Sequence, residues 1–212
     1  MSRVTKGVFY IIGLVVAGLL SFYGGRLNVR PHTVSELSPI FIYDKEDLLE
    51  LSIEDVGKYH GDVCPCVAVA FRATQLAISK LWDEEIPRRR DFRIITRCPT
   101  QGTQDAFEFI TRVKTGRNRE SDFRIELLEG TSFENLSAKN FAFIFIRKST
   151  GDSLEVGVKE EIFPEGFFKL GNKVKSGKAT QEEKEAFEFA KRELKHKYMC
   201  LPADEIFVFN RS

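Results

Sequence analysis

An uncharged apolar segment near the amino terminus constrains this chain more than any other feature of its sequence. No residue from 7 to 25 carries a charge, and the segment includes the run VFYIIGLVVAGLL. Nineteen helical residues at about 1.5 Å each extend roughly 28 Å, which is close to the hydrocarbon thickness of a bilayer. We therefore expect residues 7–25 to cross a membrane as one helix, and residues 1–25 to form a transmembrane anchor.

Two other interpretations fit this segment less well. A cleaved signal peptide would share the basic residues Arg3 and Lys6, but its apolar part is usually about 7–15 residues long and ends at an A-x-A-like site. A buried helix of a soluble domain would need apolar partners on every side, and a terminal helix seldom has them. An uncleaved anchor is the interpretation that the sequence favours.

The charges that flank the segment do not fix its orientation. Arg3 and Lys6 precede it and Arg26 and Arg30 follow it, so the positive charges are nearly even on the two sides. Because a short tail most simply stays in the cytoplasm, we expect a single-pass membrane protein with an extracytoplasmic globular domain. Residues 26–40 contain two prolines and no helical apolar stripe, which predicts a linker.

The remaining residues, 41–212, are expected to form a single α+β domain. Apolar residues at spacings of three and four predict a helix from Cys66 to Trp82, and Thr180 with Glu183 forms a capping box for a long helix near the carboxyl terminus. The segments with strand patterns are 92–95, 123–128, 140–147, 153–158 and 205–209. Helices and strands in this order predict a mixed β-sheet packed with helices.

Two further segments have weaker patterns. Asp44 followed by Asp47 predicts the amino terminus of a short helix that carries two leucines. Residues 160–178 are rich in Phe, Gly and Lys and show no regular period, which predicts irregular structure.

The composition narrows the classes of partner. Lys and Arg number 32 against 31 Asp and Glu, and this balance argues against a nucleic-acid binder, which would need clustered positive charge. Four cysteines are too few for a disulfide scaffold, and a domain of this size does not need one. Nineteen phenylalanines predict Phe-rich packing layers. We expect the membrane, through residues 7–25, and a protein partner or a second copy of the chain as partners, and no nucleic acid.

Most of the recognisable chemistry lies in the segment KYHGDVCPC, residues 58–66. Within seven residues it contains an imidazole, a carboxylate and two thiols, which belong to His60, Asp62, Cys64 and Cys66. The segment is predicted to join a loop to a helix, where free N–H groups and the helix dipole favour thiolate. Cys98 ends the predicted strand that follows this helix and could return to the same end of the sheet.

This set of side chains predicts a metal site. His60, Cys64, Cys66 and Cys98 offer nitrogen and sulfur donors of the kind that zinc, or alternatively ferrous iron, prefers. Asp62 could be a further ligand or could orient the imidazole. Two alternatives stay open: a redox pair of Cys64 and Cys66, and buried residues with no chemical role.

A known family carries a similar set of motifs. The run YHGDVCPCVAVAFRA resembles the HGHxCPGxxxGxR signature of the FmdE family, which is named for a component of formylmethanofuran dehydrogenase. Cys98, the segment DAFEFIT from Asp105 and the strand FIFIR from Phe143 resemble later motifs of that family, so that the resemblance covers roughly residues 45 to 160. It implies an α+β domain with a mixed sheet, a metal site that uses His60, Cys64 and Cys98, and a role beside a one-carbon or redox system.

The sequence also departs from this family pattern. Asp62 stands where the family has a second histidine, and Cys66 stands where it has a glycine. A later family cysteine falls near Val113, so that this ligand is replaced. The resemblance therefore implies a metal site that is rebuilt around Cys66 or that holds metal weakly.

Three hypotheses of function follow. The first is a membrane-anchored metal-binding domain in an accessory or binding role. The second is a metal-dependent or thiol-redox enzyme that uses the same residues, and the sequence assigns no catalytic residue to it. The third is a domain kept for protein–protein contact, without metal.

Overall fold

The computed structural model describes residues 37–116, 118–132 and 134–212. Within these ranges no helix is both long and apolar enough to cross a membrane. The predicted membrane-spanning helix over residues 7–25 lies outside the described residues, as does most of the predicted linker over residues 26–40.

The described part begins with a two-stranded antiparallel hairpin of β1 (Ile40–Asp44) and β2 (Asp47–Leu51). The prediction of a short helix here, which Asp44 was expected to cap, is wrong. Ile40 and Ile42 are buried and alternate with more exposed residues, so that β1 has the period of two that is typical of a strand. The aspartates belong to the turn between the strands, a position that this residue type also favours.

A five-stranded mixed sheet forms the frame of the domain. Its strands are β3 (Phe92–Thr96), β4 (Phe123–Ile125), β5 (Ala142–Arg147), β6 (Ser153–Val158) and β7 (Phe207–Arg211). They lie in the spatial order β4-β3-β5-β6-β7, with β3 and β4 parallel and the other neighbours antiparallel. The predicted mixed sheet is confirmed, and β5 holds the central position that its apolar sequence indicated.

Helices pack against this sheet and against each other. They are α1 (Ile53–His60), α2 (Pro65–Leu81), α3 (Gln101–Thr111), α4 (Phe167–Lys175), α5 (Gln181–Cys200) and the short α6 (Ala203–Ile206). The central one is α2, which contacts α3, α5, β5 and β6, and most of its first half is buried. The α+β fold is therefore confirmed, and so is the predicted helix after Cys64.

Part of the segment predicted to be irregular is helical. Residues 167–175 form α4, which follows Gly166 in the left-handed conformation with φ of 70°. The reason is tertiary, because Phe167 and Phe168 pack against aromatic rings from other parts of the chain. Such contacts stabilise a helix whose own sequence shows only a weak signal.

An aromatic cluster joins α4 to its surroundings. Neighbouring ring centroids in it lie 4.7 to 6.1 Å apart, mostly in tilted or edge-to-face arrangements. Its members are Phe141, Phe163, Phe167, Phe168 and Phe187. This cluster agrees with the Phe-rich packing that the composition predicted.

Candidate metal centre

The candidate site is formed where α1 ends and α2 begins. His60 is the last residue of α1, and Gly61 follows it with φ of 116°, a backbone conformation that glycine adopts far more readily than other residues. The chain then reverses and enters α2 through Cys64. One short turn thus places His60, Asp62 and Cys64 around the same point.

Cys64 caps the amino terminus of α2. Its backbone is extended, and its Sγ accepts a hydrogen bond from the backbone N–H of Val67 at 3.4 Å. Pro65 occupies the first helical position, where a missing N–H removes no helical hydrogen bond. The sulfur therefore lies at the positive end of the helix dipole, where negative charge is stabilised.

Neighbouring groups make Cys64 the thiolate of the cysteine pair. A hydrogen bond from the side chain of Cys66 is the largest influence, and together with the N–H of Val67 and the charge of His60 it lowers the pKa of Cys64 to about 6, although burial opposes this. The same hydrogen bond, together with burial and the nearby Cys98, raises the pKa of Cys66 well above its ordinary value. Cys66 is thus the protonated donor and Cys64 the acceptor.

Three of the predicted ligands come together. One donor atom each from His60, Asp62 and Cys64 lies within 4.8 Å of the others, with Asp62 exposed and the other two partly buried. An imidazole nitrogen, a carboxylate oxygen and a thiolate are donors that zinc accepts. The donor set therefore fits a divalent ion, and three protein ligands would leave one tetrahedral position for another molecule.

A fourth residue, Asp105 on α3, orients the imidazole. Its Oδ2 lies 2.8 Å from Nδ1 of His60, and its Oδ1 accepts a hydrogen bond of 2.5 Å from Nε2 of Gln101. Burial lowers the pKa of His60, but the hydrogen bond to Asp105 and the charge of Cys64 outweigh it, and the pKa is raised overall. A carboxylate on one ring nitrogen leaves the other nitrogen for a metal, as in many metal sites.

Sequence reasoning did not include Asp105 in the predicted site. The segment that begins with Asp105 entered only as part of the family resemblance, and Asp105 lies 45 residues from His60. One local signal was present, since Gln101 and Asp105 are four residues apart and share a helix face. That signal indicates a hydrogen bond within α3 and does not indicate its partner on α1.

The other two predicted ligands lie deeper. Cys98 is fully buried, its Sγ is 3.4 Å from the hydroxyl of Thr100, and burial raises its pKa. Among the described residues, the group of converging ligand atoms contains neither Cys98 nor Cys66. Cys66 interacts with Cys64, Thr100 and Cys98, so that it lies between the converging group and the interior. Metal ligation by these two thiols stays a prediction.

A glycine allows α3 to approach the cysteines closely. A Cβ at Gly102 would lie 2.8 Å from Sγ of Cys64, 2.9 Å from Cβ of Cys66 and 3.2 Å from the backbone nitrogen of Val67. These separations are shorter than van der Waals contact, so any larger residue would force α3 away from α2. The close approach also brings Asp105, one turn later on α3, to His60.

Comparison with known proteins identifies the family. Residues 59–208, more than half of the chain, match the family model described as "FmdE, Molybdenum formylmethanofuran dehydrogenase operon". The chain belongs to the FmdE family. The match begins one residue before His60 and continues through α5 into β7, which is well beyond residue 160, where the sequence resemblance was expected to end.

Among solved structures, the domain is similar to the crystal structure of an FmdE-like protein of tungsten formylmethanofuran dehydrogenase from Syntrophus aciditrophicus. The two chains are 19% identical, the match covers 76% of this chain and 72% of the other, and the TM-score is 0.44. No curated protein matches the chain. The predicted membership of the FmdE family is thus confirmed by the family model.

The lowered pKa predicts how Cys64 reacts with pH in the chelator-treated protein. Only the thiolate attacks iodoacetamide, so the alkylation rate of Cys64 should rise with pH with a midpoint near the pKa of about 6. Peptide mass spectrometry after timed quenching measures this rate. Cys66→Ala removes the donor and should shift the midpoint upward, whereas Cys66→Ser keeps a donor and should shift it less. A midpoint above pH 8 in the unsubstituted protein would contradict the assignment.

The close contact at Gly102 predicts that Gly102→Ala destabilises the domain. The added methyl would overlap Cys64 and Cys66, and overpacking of this kind costs roughly 1–3 kcal/mol of unfolding free energy. Urea unfolding measures the loss. Gly157→Ala is the matched control, because a Cβ there would meet its nearest neighbour at 3.4 Å, an ordinary contact. Equal stability of the two variants would show that α3 does not need the glycine.

Proposed function

We propose that this protein is a membrane-anchored metal-binding member of the FmdE family, with an accessory or binding role beside a one-carbon or redox system. The observation that carries the proposal is the convergence of His60, Asp62 and Cys64, with Asp105 hydrogen-bonded behind the imidazole. The family description, which names a molybdenum formylmethanofuran dehydrogenase operon, supports the one-carbon and redox context. The protein would act through contact with a protein partner or with a second copy of itself.

The donor chemistry favours zinc, with iron as the second choice. Zinc accepts nitrogen, oxygen and sulfur donors together, and Cys64 already has the environment of a thiolate. When bound, such an ion would polarise a carbonyl or a water molecule in its fourth position. The part played by the chain itself is to orient His60 through Asp105 and to hold Cys64 deprotonated at the start of α2.

Metal analysis of the full-length protein, purified without chelator, tests this proposal. We expect about one zinc or iron per chain, with loss of the metal in Cys64→Ser and in Asp62→Ala. Asp105→Asn should weaken binding by roughly 10–100-fold, because the imidazole would lose its orienting carboxylate. Cys200→Ser is the matched control, since Cys200 is exposed and its sulfur faces His196 on α5.

The outcomes separate the hypotheses. A protein that carries no metal and takes up no added zinc would contradict the proposal and favour a domain kept for protein contact. Loss of metal in Cys66→Ser or Cys98→Ser, with circular dichroism unchanged, would return these two thiols to the ligand set. A fourth protein ligand would indicate a closed structural site, and three ligands an open one.

A thiol-redox enzyme is the second candidate, and one observation favours it. Cys64 and Cys66 form a thiolate–thiol pair at the start of a helix, which is the environment of reactive cysteines. Oxidation to a disulfide would remove two electrons and the remaining proton of the pair, and would therefore need an external acceptor. A bound metal would compete with this chemistry, because both use the Cys64 sulfur.

The membrane anchor in the proposal rests on residues 7–25, and substitutions inside this segment test it. We expect the full-length protein to stay in the membrane fraction after an alkaline carbonate wash. Val15→Arg with Val16→Arg should release it, because each arginine at the centre costs about 2.5–3.5 kcal/mol of insertion free energy. Val15→Leu with Val16→Leu is the matched control and should stay in the membrane.

The orientation can be read in the same cells. A reporter that is active only in the cytoplasm, fused after Ser212, should be inactive if the domain is extracytoplasmic. Reporter activity would overturn this orientation, and release of the unsubstituted protein by carbonate would overturn the anchor.

A further inference from the structure

A cavity of about 260 Å³ lies beside the cysteines. The start of α2, the facing sides of α4 and α5, and residues that precede β5 form its walls. The side chains that give it its character are aromatic and aliphatic: Phe141, Phe167, Phe168, Phe187 and Leu194. Natural interiors contain few voids much larger than a water molecule, so a cavity of this size needs an explanation.

The walls of the cavity are firmly held. Phe168 lies 5.8 Å from Phe141 and 5.3 Å from Phe167 between ring centroids, and Phe167 lies 5.2 Å from Phe187. Gly171 on α4 supports Phe187 from behind, because a Cβ there would lie only 3.0 Å from the ring. Rings that are packed against each other in this way give a preformed site, which a ligand can enter without first ordering the walls.

The cavity reaches the candidate metal centre at one end. Cys64, Pro65, Cys66 and Thr100 contribute to its lining there, and these residues surround the start of α2. The polar and reactive groups are thus confined to one end, whereas the remainder is mostly apolar. This is the usual division of a small-molecule site, with a large apolar part for affinity and a few polar groups for orientation.

We propose that this cavity binds a small molecule with an apolar aliphatic or aromatic body, and that it holds the polar end of that molecule at Cys64. An apolar cavity of about 150 Å³ lined by Leu, Ile and Phe binds benzene. The larger volume here has room for a substituted ring or a short alkyl chain. The placement of the polar end deepens the proposed function, but filling of the cavity does not depend on a bound metal.

A series of primary alcohols, from 1-butanol to 1-decanol, tests the proposal in the full-length, chelator-treated protein in detergent, with the free alcohol concentration set by dialysis. An alcohol in the cavity should protect Cys64 from iodoacetamide, because its hydroxyl end covers the sulfur. We expect the half-protecting concentration to fall about fourfold per methylene until the cavity is full, and then to level off. Because metal is absent, this result does not depend on whether the metal analysis succeeds.

Variants of two phenylalanines on α5 connect the effect to the cavity. Phe187→Ala enlarges the cavity and should move the levelling point to a longer alcohol. Phe189→Ala is the matched control, because Phe189 is 62% exposed and does not line the cavity, and it should leave the levelling point unchanged. Leu194→Phe narrows the cavity and should move the levelling point to a shorter alcohol, with folding checked by thermal unfolding.

Two results would overturn the proposal. One is an absence of protection by every alcohol at millimolar concentration, which would mean that the cavity is filled by protein or closed in solution. The other is protection that increases with chain length identically in Phe187→Ala and Phe189→Ala, which would show partitioning into detergent or onto the surface.

Discussion

The close packing of α3 against the start of α2 is the contact on which the candidate site depends. Gly102 lets the two helices meet at the cysteines, since a single methyl group there would overlap Cys64 and Cys66. One turn further along α3, Asp105 reaches His60. The packing of two helices thus produces the hydrogen bond that orients the imidazole, and the geometry of the site follows from the packing of the core.

The capping of α2 links stability to chemistry in a second way. Cys64 satisfies an N–H group at the start of the helix, and the helix end stabilises its thiolate in return. A side chain that the helix needs as a cap is therefore also the sulfur that a metal would bind. Cys66 and Cys98 contribute from the interior side, where burial keeps both protonated and where Cys66 donates to Cys64.

The aromatic cluster around α4 gives the domain a second functional element. A cavity lined by these rings ends at the same cysteines, so that one end of α2 faces both a group of metal-ligand donors and an apolar space. Membership of the FmdE family covers both elements, because the family match includes α1 from Tyr59, α4 and α5. A molecule held in the cavity would present one end to the site.

Much of the fold and part of the site are determined by local sequence. The helix after Cys64, the capping box at Thr180 and the central strand β5 follow from patterns within a few residues, and so does the turn that groups His60, Asp62 and Cys64. The apolar segment over residues 7–25 likewise predicts a membrane anchor from its length and lack of charge. The family signature is local in the same sense.

Only the tertiary structure decided the remainder, because it depends on contacts between residues that are far apart in the chain. Asp105 joins the site across 45 residues, and α4 forms because rings from elsewhere cover its apolar face. The β1–β2 hairpin replaced a predicted helix because burial of Ile40 and Ile42 outweighed the capping preference of aspartate. The separation of Cys66 and Cys98 from the converging ligands has the same origin: sequence spacing predicts which residues come near each other, but packing decides which of them face the site and which face the core.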